Sequence, residues 1–350
     1  FYFLLLGLLI FSGVQAQIIN FPDANFKAAL LMADTSNNIA SNLLNNSFKI
    51  DSNSNGEIEV SEALQVTRLY VQNSNISDLT GINYFTNIYA LGCNNNRISS
   101  LNFNTLTQLK YLDCSQNQLT NLNVNIFTNL IKLWCSNNQL TSLNINSLNN
   151  LEVLFCSNNQ LTSLNILNAS LLKTVDCSFN SLTSLDLSNC SSVFDTLNIQ
   201  NNFISTINFS NIIKFNSLNI RNNNLKGIDL SNVTYVYWEF LFGNNTSDDV
   251  IFRSYFYMSP GGSIKFSSPV AINLDLTNLK SFGDGDLPPF LVIENSPNLE
   301  IINLKNSYNH IFYSFAGSDV PGINIIQLRI NNCPNLKYFC ADAGEETNLT

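Results

Sequence analysis

Leu112-Asp-Cys114-Ser-Gln-Asn117-Gln-Leu119-Thr-Asn-Leu122-Asn-Val124 is repeated almost unchanged as Leu154-Phe-Cys156-Ser-Asn-Asn159-Gln-Leu161-Thr-Ser-Leu164-Asn-Ile166. Cys93, Cys114, Cys135, Cys156 and Cys177 mark the same frame at a constant spacing of 21 residues. A fixed period of this length means one structural unit stacked many times. The Leu-x-Cys step has period 2, so both apolar residues face inward from a short strand and the residue between them faces outward. Cysteines at one repeat position then stack on neighbouring parallel strands roughly 4.8 Å apart. In-register side chains point the same way, which suits a column of buried thiols better than a bridge.

Working outward, the unit is traceable at Leu69-Tyr-Val71, Leu91-Gly-Cys93, Leu112-Asp-Cys114, Leu133-Trp-Cys135, Leu154-Phe-Cys156, Val175-Asp-Cys177, Leu197-Asn-Ile199 and Leu218-Asn-Ile220, with a looser copy at Phe240-Leu-Phe242. An Asn follows three residues after the Cys position, at Asn96, Asn117, Asn138, Asn159, Asn180, Asn202 and Asn223. A buried amide carries donors and acceptors, so this column is expected to satisfy backbone groups where each coil turns. Leu119, Leu140, Leu161 and Leu182 then turn inward. The Thr-Ser-Leu-Asn-Ile segments show no helical period, which predicts an extended or irregular outer side.

On these residues the units resemble leucine-rich repeats, L-x-x-L-x-L-x-x-N-x-L, of the short bacterial internalin-like kind, with Cys in place of one Leu. The resemblance covers residues 67–245 strongly. It implies a leucine-rich repeat solenoid (horseshoe), mostly β, with a parallel sheet on the concave face. Leu291-Val-Ile293 and Leu328-Arg-Ile330 look like degenerate repeats separated by long excursions within 246–340. Residues 341–350 read as a tail with further chain expected beyond it. Cys190, Cys333 and Cys340 lie outside the thiol column; Cys333 and Cys340 are candidates to pair, or Cys340 to pair beyond the visible end.

Residues 17–66 precede the stack. Phe26, Ala29, Leu30 and Ala33 form a helical face with Asp23 placed to cap it, as expected of a segment that covers the first coil's open core. Asp51-Ser-Asn53-Ser-Asn55-Gly56-Glu57-Ile58-Glu59-Val-Ser-Glu62 matches the twelve-residue EF-hand calcium loop. Asp51, Asn53, Asn55 and Glu59 are predicted to offer side-chain oxygens, Glu57 its carbonyl and Glu62 a bidentate carboxylate, a hard-oxygen set that favours structural calcium. The flank departs from an ordinary EF-hand, because Ser47–Ile50 reads as extended and the helix lies upstream. The alternative is an Asx-rich turn capping a helix from Val60 to Val66.

Phe1 to Val14 is almost wholly apolar and ends in Val14-Gln15-Ala16-Gln17. This predicts a signal peptide over 1–16, a start upstream of Phe1, and a secreted or cell-surface protein. The net charge is −9, with 12% charged residues and no basic run, a poor match to nucleic acid. One histidine, His310, and the lack of a nucleophile triad, phosphate loop or zinc spacing argue against catalysis.

The outward column reads Tyr70, Gly92, Asp113, Trp134, Phe155, Asp176, Asn198, Asn219 and Leu241. Trp134 and Phe155 fall side by side, Tyr111, Ile131 and Val153 are expected to flank them, and Asp113 and Asp176 to edge them. An exposed apolar cluster with a polar rim marks a binding site; the alternative is cross-strand pairing that only stabilises the sheet. The expected function is a non-enzymatic recognition module for a protein, or else a glycan, acting as a monomer. The alternative is a rigid spacer or an accessory to a further domain.

Overall fold

In the computed structural model the described residues are 17–166, 169–246, 250–252, 257–258, 262–269, 271, 273–276, 290–303, 310–313 and 324–340. The proposed signal peptide and the tail lie outside them. Strands of three residues, Arg68–Tyr70, Ala90–Gly92, Tyr111–Asp113, Lys132–Trp134, Val153–Phe155 and Thr174–Asp176, pair in parallel along one continuous sheet. Longer strands carry the sheet on, from Val193–Asn198 through Lys214–Asn219 to Tyr235–Phe242. The register is in step: Leu91 pairs with Leu112, Leu112 with Leu133, Leu133 with Leu154, and Leu154 with Val175. The chain is thus a leucine-rich repeat solenoid. The degenerate units join the same sheet, Leu291 pairing with Leu328 and Ile293 with Ile330. The long excursion between them supplies His310–Tyr313, which pairs with the far side of Asn324–Asn331.

Each coil leaves its strand through a left-handed residue. Asn95, Gln116, Asn137, Asn158, Phe179, Asn201, Asn222 and Asn244 all have φ between 52° and 56°. Asn tolerates this conformation well and Phe does not. The next residue is the predicted amide column. Asn138 Nδ2 donates to the carbonyls of Cys114 (3.0 Å) and Cys135 (3.1 Å), and its Oδ1 accepts from Leu119 N–H (3.0 Å). Asn117, Asn159 and Asn180 repeat the pattern. Asn245 extends the column, its Oδ1 accepting from Leu225 N–H at 3.4 Å.

The five ladder cysteines are fully buried free thiols. Cys190 sits in a second inward column with Phe127, Leu148, Ala169 and Ile212, and shares their turn: Cys190 N–H donates to Leu187 O as Ala169 N–H does to Ile166 O. Cys333 is a free, half-buried thiol whose Sγ donates to Asn331 O at 3.4 Å. The proposed Cys333–Cys340 bridge is therefore corrected, while the Cys340 side chain lies outside the described residues. Among the described residues the outer side carries short parallel strands, such as Leu143–Asn144 with Leu164–Asn165 and Ser184–Asp186 with Thr206–Asn208. The first coil turns through a short 3-10 helix, Ile82–Tyr84, and later coils close with bonds such as Phe127 N–H to Val124 O and Leu148 N–H to Ile145 O.

The cap helix spans Ala24–Leu31, and Asp23 accepts from the N–H groups of Asn25 and Phe26, both at 2.9 Å. Its other oxygen accepts from Ser77 N–H and Oγ–H, both at 2.7 Å, and from Asp78 N–H at 3.1 Å. One carboxylate therefore ties the cap to the first coil. Ala40–Ser41 pairs antiparallel with Arg68–Tyr70 and covers the exposed sheet edge, a standing hazard in β proteins.

Candidate recognition surface

The sheet pairs Gly92 with Asp113, Asp113 with Trp134, Trp134 with Phe155, and Phe155 with Asp176. The outward column therefore runs as predicted, with half-buried Trp134 and Phe155 on adjacent strands and an aspartate on either side. A second column, two residues earlier, contains Ala90, Tyr111, Lys132, Val153 and Thr174. Ile131 is thus not a flanking member; Lys132 holds that place. Lys110 O accepts from both Ile131 N–H (2.8 Å) and Lys132 N–H (3.1 Å). Counting back two residues from Trp134, as from Asp113 to Tyr111 and from Phe155 to Val153, gives Lys132, so the expectation for Ile131 stands one residue out of step.

A cavity of about 380 Å³ opens on this face, lined by Tyr70, Gly92, Tyr111, Asp113, Lys132 and Trp134 among others. It exists because the column carries glycine at its second position. A Cβ on Gly92 would stand 2.8 Å from Tyr70 Cδ1, so the missing side chain lets the Tyr70 ring lie over the sheet. Lys132 Nζ stands 6.0 Å from the centroid of the Trp134 ring, at the limit of a cation–π contact. Asp113 Oδ1 accepts from Ser115 N–H at 3.0 Å, which fixes the carboxylate at the cavity wall.

A second hollow, of about 440 Å³, lies beside the first and is lined by Leu43, Asn45, Tyr89 and Lys110 among others. Tyr89 and Tyr111 pack edge to face at 6.4 Å and form the ridge between the two. Tyr89 Oη donates to Asn45 Oδ1 at 2.8 Å, which anchors that ridge to the cap. Leu43 and Leu44 stand exposed at the rim, at 62% and 78%. Neither Tyr89 nor Lys110 was evident from the outward column. Both precede the three-residue strands, where the period-2 rule no longer holds.

The ladder thiols have no part in this surface. Burial pushes Cys135 up to about 12, with the Asp113 charge adding to the effect, and pushes Cys114 and Cys156 well above the ordinary thiol value. Such thiols are inert packing groups rather than nucleophiles.

The acidic loop keeps the turns of a calcium loop. Gly56 has φ 79°, Asp51 Oδ2 accepts from Gly56 N–H at 3.1 Å, and Ile58 is buried. The loop's oxygens are turned to its own donors, however. Glu62 Oε1 accepts from Ser52 N–H (2.7 Å) and its hydroxyl (2.8 Å), and Glu62 Oε2 accepts from Glu59 N–H at 3.1 Å. Glu59 accepts from the amides of Asn53 and Asn55; hydrogen bonding with the Glu62 side chain and then with Asn55 holds its carboxyl below the usual range. Glu57 directs its side chain to Lys27 at 2.7 Å. Among the described residues no three His, Cys, Asp or Glu side chains come together to hold a metal. As it stands the donor set fits a self-bonded turn that leads into the helix Val60–Ala63, and a cation would have to draw Glu62 away from Ser52 and Glu59.

No protein-family model matches the chain, and no curated protein does. Solved structures do. The functional domain of InlJ from Listeria monocytogenes, described as including a cysteine ladder, is 24% identical over 91% of this chain and 72% of its own, with a TM-score of 0.55. The internalin InlF from Listeria monocytogenes is 16% identical over 94% of this chain and 98% of its own, with a TM-score of 0.49. Among the described residues no helix is long and apolar enough to cross a membrane. Register, amide column and the InlJ likeness together make this an internalin-like leucine-rich repeat fold built around a ladder of cysteines.

Proposed function

We propose that the chain is a secreted or surface-displayed recognition module that binds a protein on the concave face of its first coils, with Trp134, Phe155, Val153 and Tyr111 as anchors and Asp113 and Asp176 as a polar rim. The observation that carries this reading is the cavity beside Trp134, roofed by Tyr70 and opened by Gly92. Concave sites with aromatic walls and a few placed polar groups are the usual form of binding sites, and Trp and Tyr are the usual anchors. The test is affinity capture from extracellular fluid with the wild-type chain and with a Trp134→Ala, Phe155→Ala variant of equal melting temperature. A partner that binds the purified wild-type chain saturably and loses the variant supports the reading. A partner that binds both equally removes the site.

We also propose weak structural calcium at Asp51, Asn53, Asn55, Glu57, Glu59 and Glu62. It is supported by the loop's twelve-residue pattern and by the Asp51–Gly56 contact. Binding would require Glu62 to exchange its hydrogen bonds for the ion. Melting in millimolar calcium and in chelator should differ, and Glu62→Gln should abolish the difference. Identical melting curves would remove the ion.

A further inference from the structure

We infer that the two hollows on the first coils form one groove for an acidic peptide segment that also carries apolar side chains. The inference rests on the concave-face reading and adds to it the chemistry of the partner. The chain as a whole is acidic, with 16 Lys and Arg against 25 Asp and Glu. Its first coils reverse that balance. Lys132 lines the hollow beside Trp134, Lys110 lines the hollow beside Leu43, and Asp113 is the one carboxylate in either. The ion pairs among the described residues are Lys27–Glu57, Lys173–Glu152, Lys265–Glu239 and Lys337–Glu300. Lys110 and Lys132 belong to none of them.

These two lysines sit on adjacent coils, joined by the Lys132 N–H to Lys110 O bond at 3.1 Å. Their charges therefore fall on either side of the Tyr89–Tyr111 ridge. Arg68 adds a third cation: its Nη2 donates to Asn45 O at 3.1 Å, and its Nε–H is buried with no partner. Farther along the array Lys173 is spent on Glu152, and Asp176 and Asp195 face out without a lysine bonded to them. A partner with negative charge is thus drawn to the two hollows.

The apolar walls select among anionic partners. Tyr70, Tyr111 and Trp134 bound one hollow, and exposed Leu43 stands over the other. A peptide offers carboxylates and aromatic or aliphatic side chains at short alternating spacing, which matches two lysines set among apolar walls. A sulfated polysaccharide offers charge on sugar rings but no aliphatic or aromatic side chains to fill the hollows.

The test uses a random dodecapeptide display library and heparin as probes on the intact chain. Wild-type protein should enrich sequences in which Asp or Glu neighbours Trp, Phe or Leu. Synthetic copies of these should bind about tenfold more tightly than their Gln and Asn counterparts at low salt, with the gap closing as salt rises. In a Lys110→Gln, Lys132→Gln variant the gap should vanish while binding of the Gln and Asn counterparts is kept. Enriched peptides without acidic bias, or an undiminished gap in the double variant, would overturn the inference while leaving concave-face binding in place. Enrichment that survives Trp134→Ala, Phe155→Ala, or no enrichment at all, would remove that underlying reading too. Heparin binding that depends on both lysines, without acidic peptide enrichment, would overturn the peptide in favour of an anionic glycan.

Discussion

Replacing Asn138 by alanine separates what the amide column does from what it merely decorates. Asn138 Nδ2 donates to two cysteine carbonyls, and each of these also accepts from a neighbouring amide. Cys114 O keeps Asn117 at 3.1 Å, and Cys135 O keeps Asn159 at 3.1 Å. The carbonyls therefore lose one of two donors. Leu119 N–H donates to Asn138 Oδ1 and sits on a fully buried residue, so it is stranded. A stranded buried donor costs about 1–3 kcal/mol, and each of the two lost bonds about 0.5–1 kcal/mol, for a total of about 2–5 kcal/mol.

Asn138→Asp sharpens the test. Its carboxylate still accepts from Leu119 N–H but faces two carbonyl oxygens, so the charged form is disfavoured in the folded chain. The folded pKa then lies above the unfolded value of about 3.9. The stability of this variant is intact below that value and is lost as pH rises through the folded pKa. It should be less stable than Asn138→Ala at pH 7 and recover against it near pH 3. In a Trp238→Phe background, urea unfolding followed by the fluorescence of Trp134, four residues upstream in the same coil, reads the affected coil directly, which matters in an array that need not unfold as one unit. An Asn138→Ala variant within about 0.5 kcal/mol of wild type would refute the accounting, since that is the range of featureless surface changes.

Three further outcomes follow from the same geometry. Asp23→Ala removes the acceptor of five hydrogen bonds and should cost about 2–4 kcal/mol; although burial pushes the Asp23 carboxyl up, its bonds to Ser77, Phe26 and Asp78 outweigh this and lower it, so the stabilisation holds above about pH 3.9 and is lost in acid, as melting at pH 7 and pH 2.5 of both proteins will show. Burial raises every ladder thiol, so their contribution is whole below about pH 8.5 and is lost above it at up to about 1.4 kcal/mol per pH unit each; the chain should melt steeply earlier between pH 8 and pH 10.5, Cys135→Ala should flatten that slope, and iodoacetamide should reach Cys333 before any ladder thiol. Gly92→Ala should push Tyr70 aside and fill the cavity, weakening ligand binding with a stability change of less than about 1 kcal/mol, measured by titration and melting side by side.

The period and the two inward columns were legible because an inward position tolerates few residue types. Leu69, Leu91, Leu112, Leu133 and Leu154 are all buried aliphatics, and a spacing of 21 or 22 residues needs no structure to be seen. The amide column was legible for the same reason, since a buried turn needs a donor and an acceptor on one short side chain. The left-handed column one residue before it was equally visible in the doublets Asn95-Asn96, Asn137-Asn138 and Asn158-Asn159, and its physical cause, a positive φ, emerges only with the backbone. Where strict alternation was carried past the strand it failed. Tyr89 O accepts from both Lys110 N–H and Tyr111 N–H, so the chain kinks there and Tyr89 and Lys110 reach the second hollow; within the strand, counting back two from Trp134 gives Lys132 rather than Ile131. The cavity was not legible at all: it depends on where one ring, Tyr70, lies across a glycine.

The arrangement divides the chain's burdens between two sets of residues that alternate along the same three-residue strands. Inward residues and the amide column fix the pitch, and each coil's hydrogen bonds reach back into the one before, from Asn138 to Cys114 as from Asn159 to Cys135. Outward residues are left free of that duty, and they vary without pattern: Tyr70, Gly92, Asp113, Trp134, Phe155, Asp176. Because the pitch is constant, a change at one outward position alters the surface in steps of roughly 4.8 Å without moving the neighbouring backbone. A glycine in that column therefore does not loosen the sheet; it makes a hole of defined depth between two aromatic walls. That is why the candidate site lies where the outward pattern is least uniform, and why a variant that fills the hole should change what binds more than whether the chain folds.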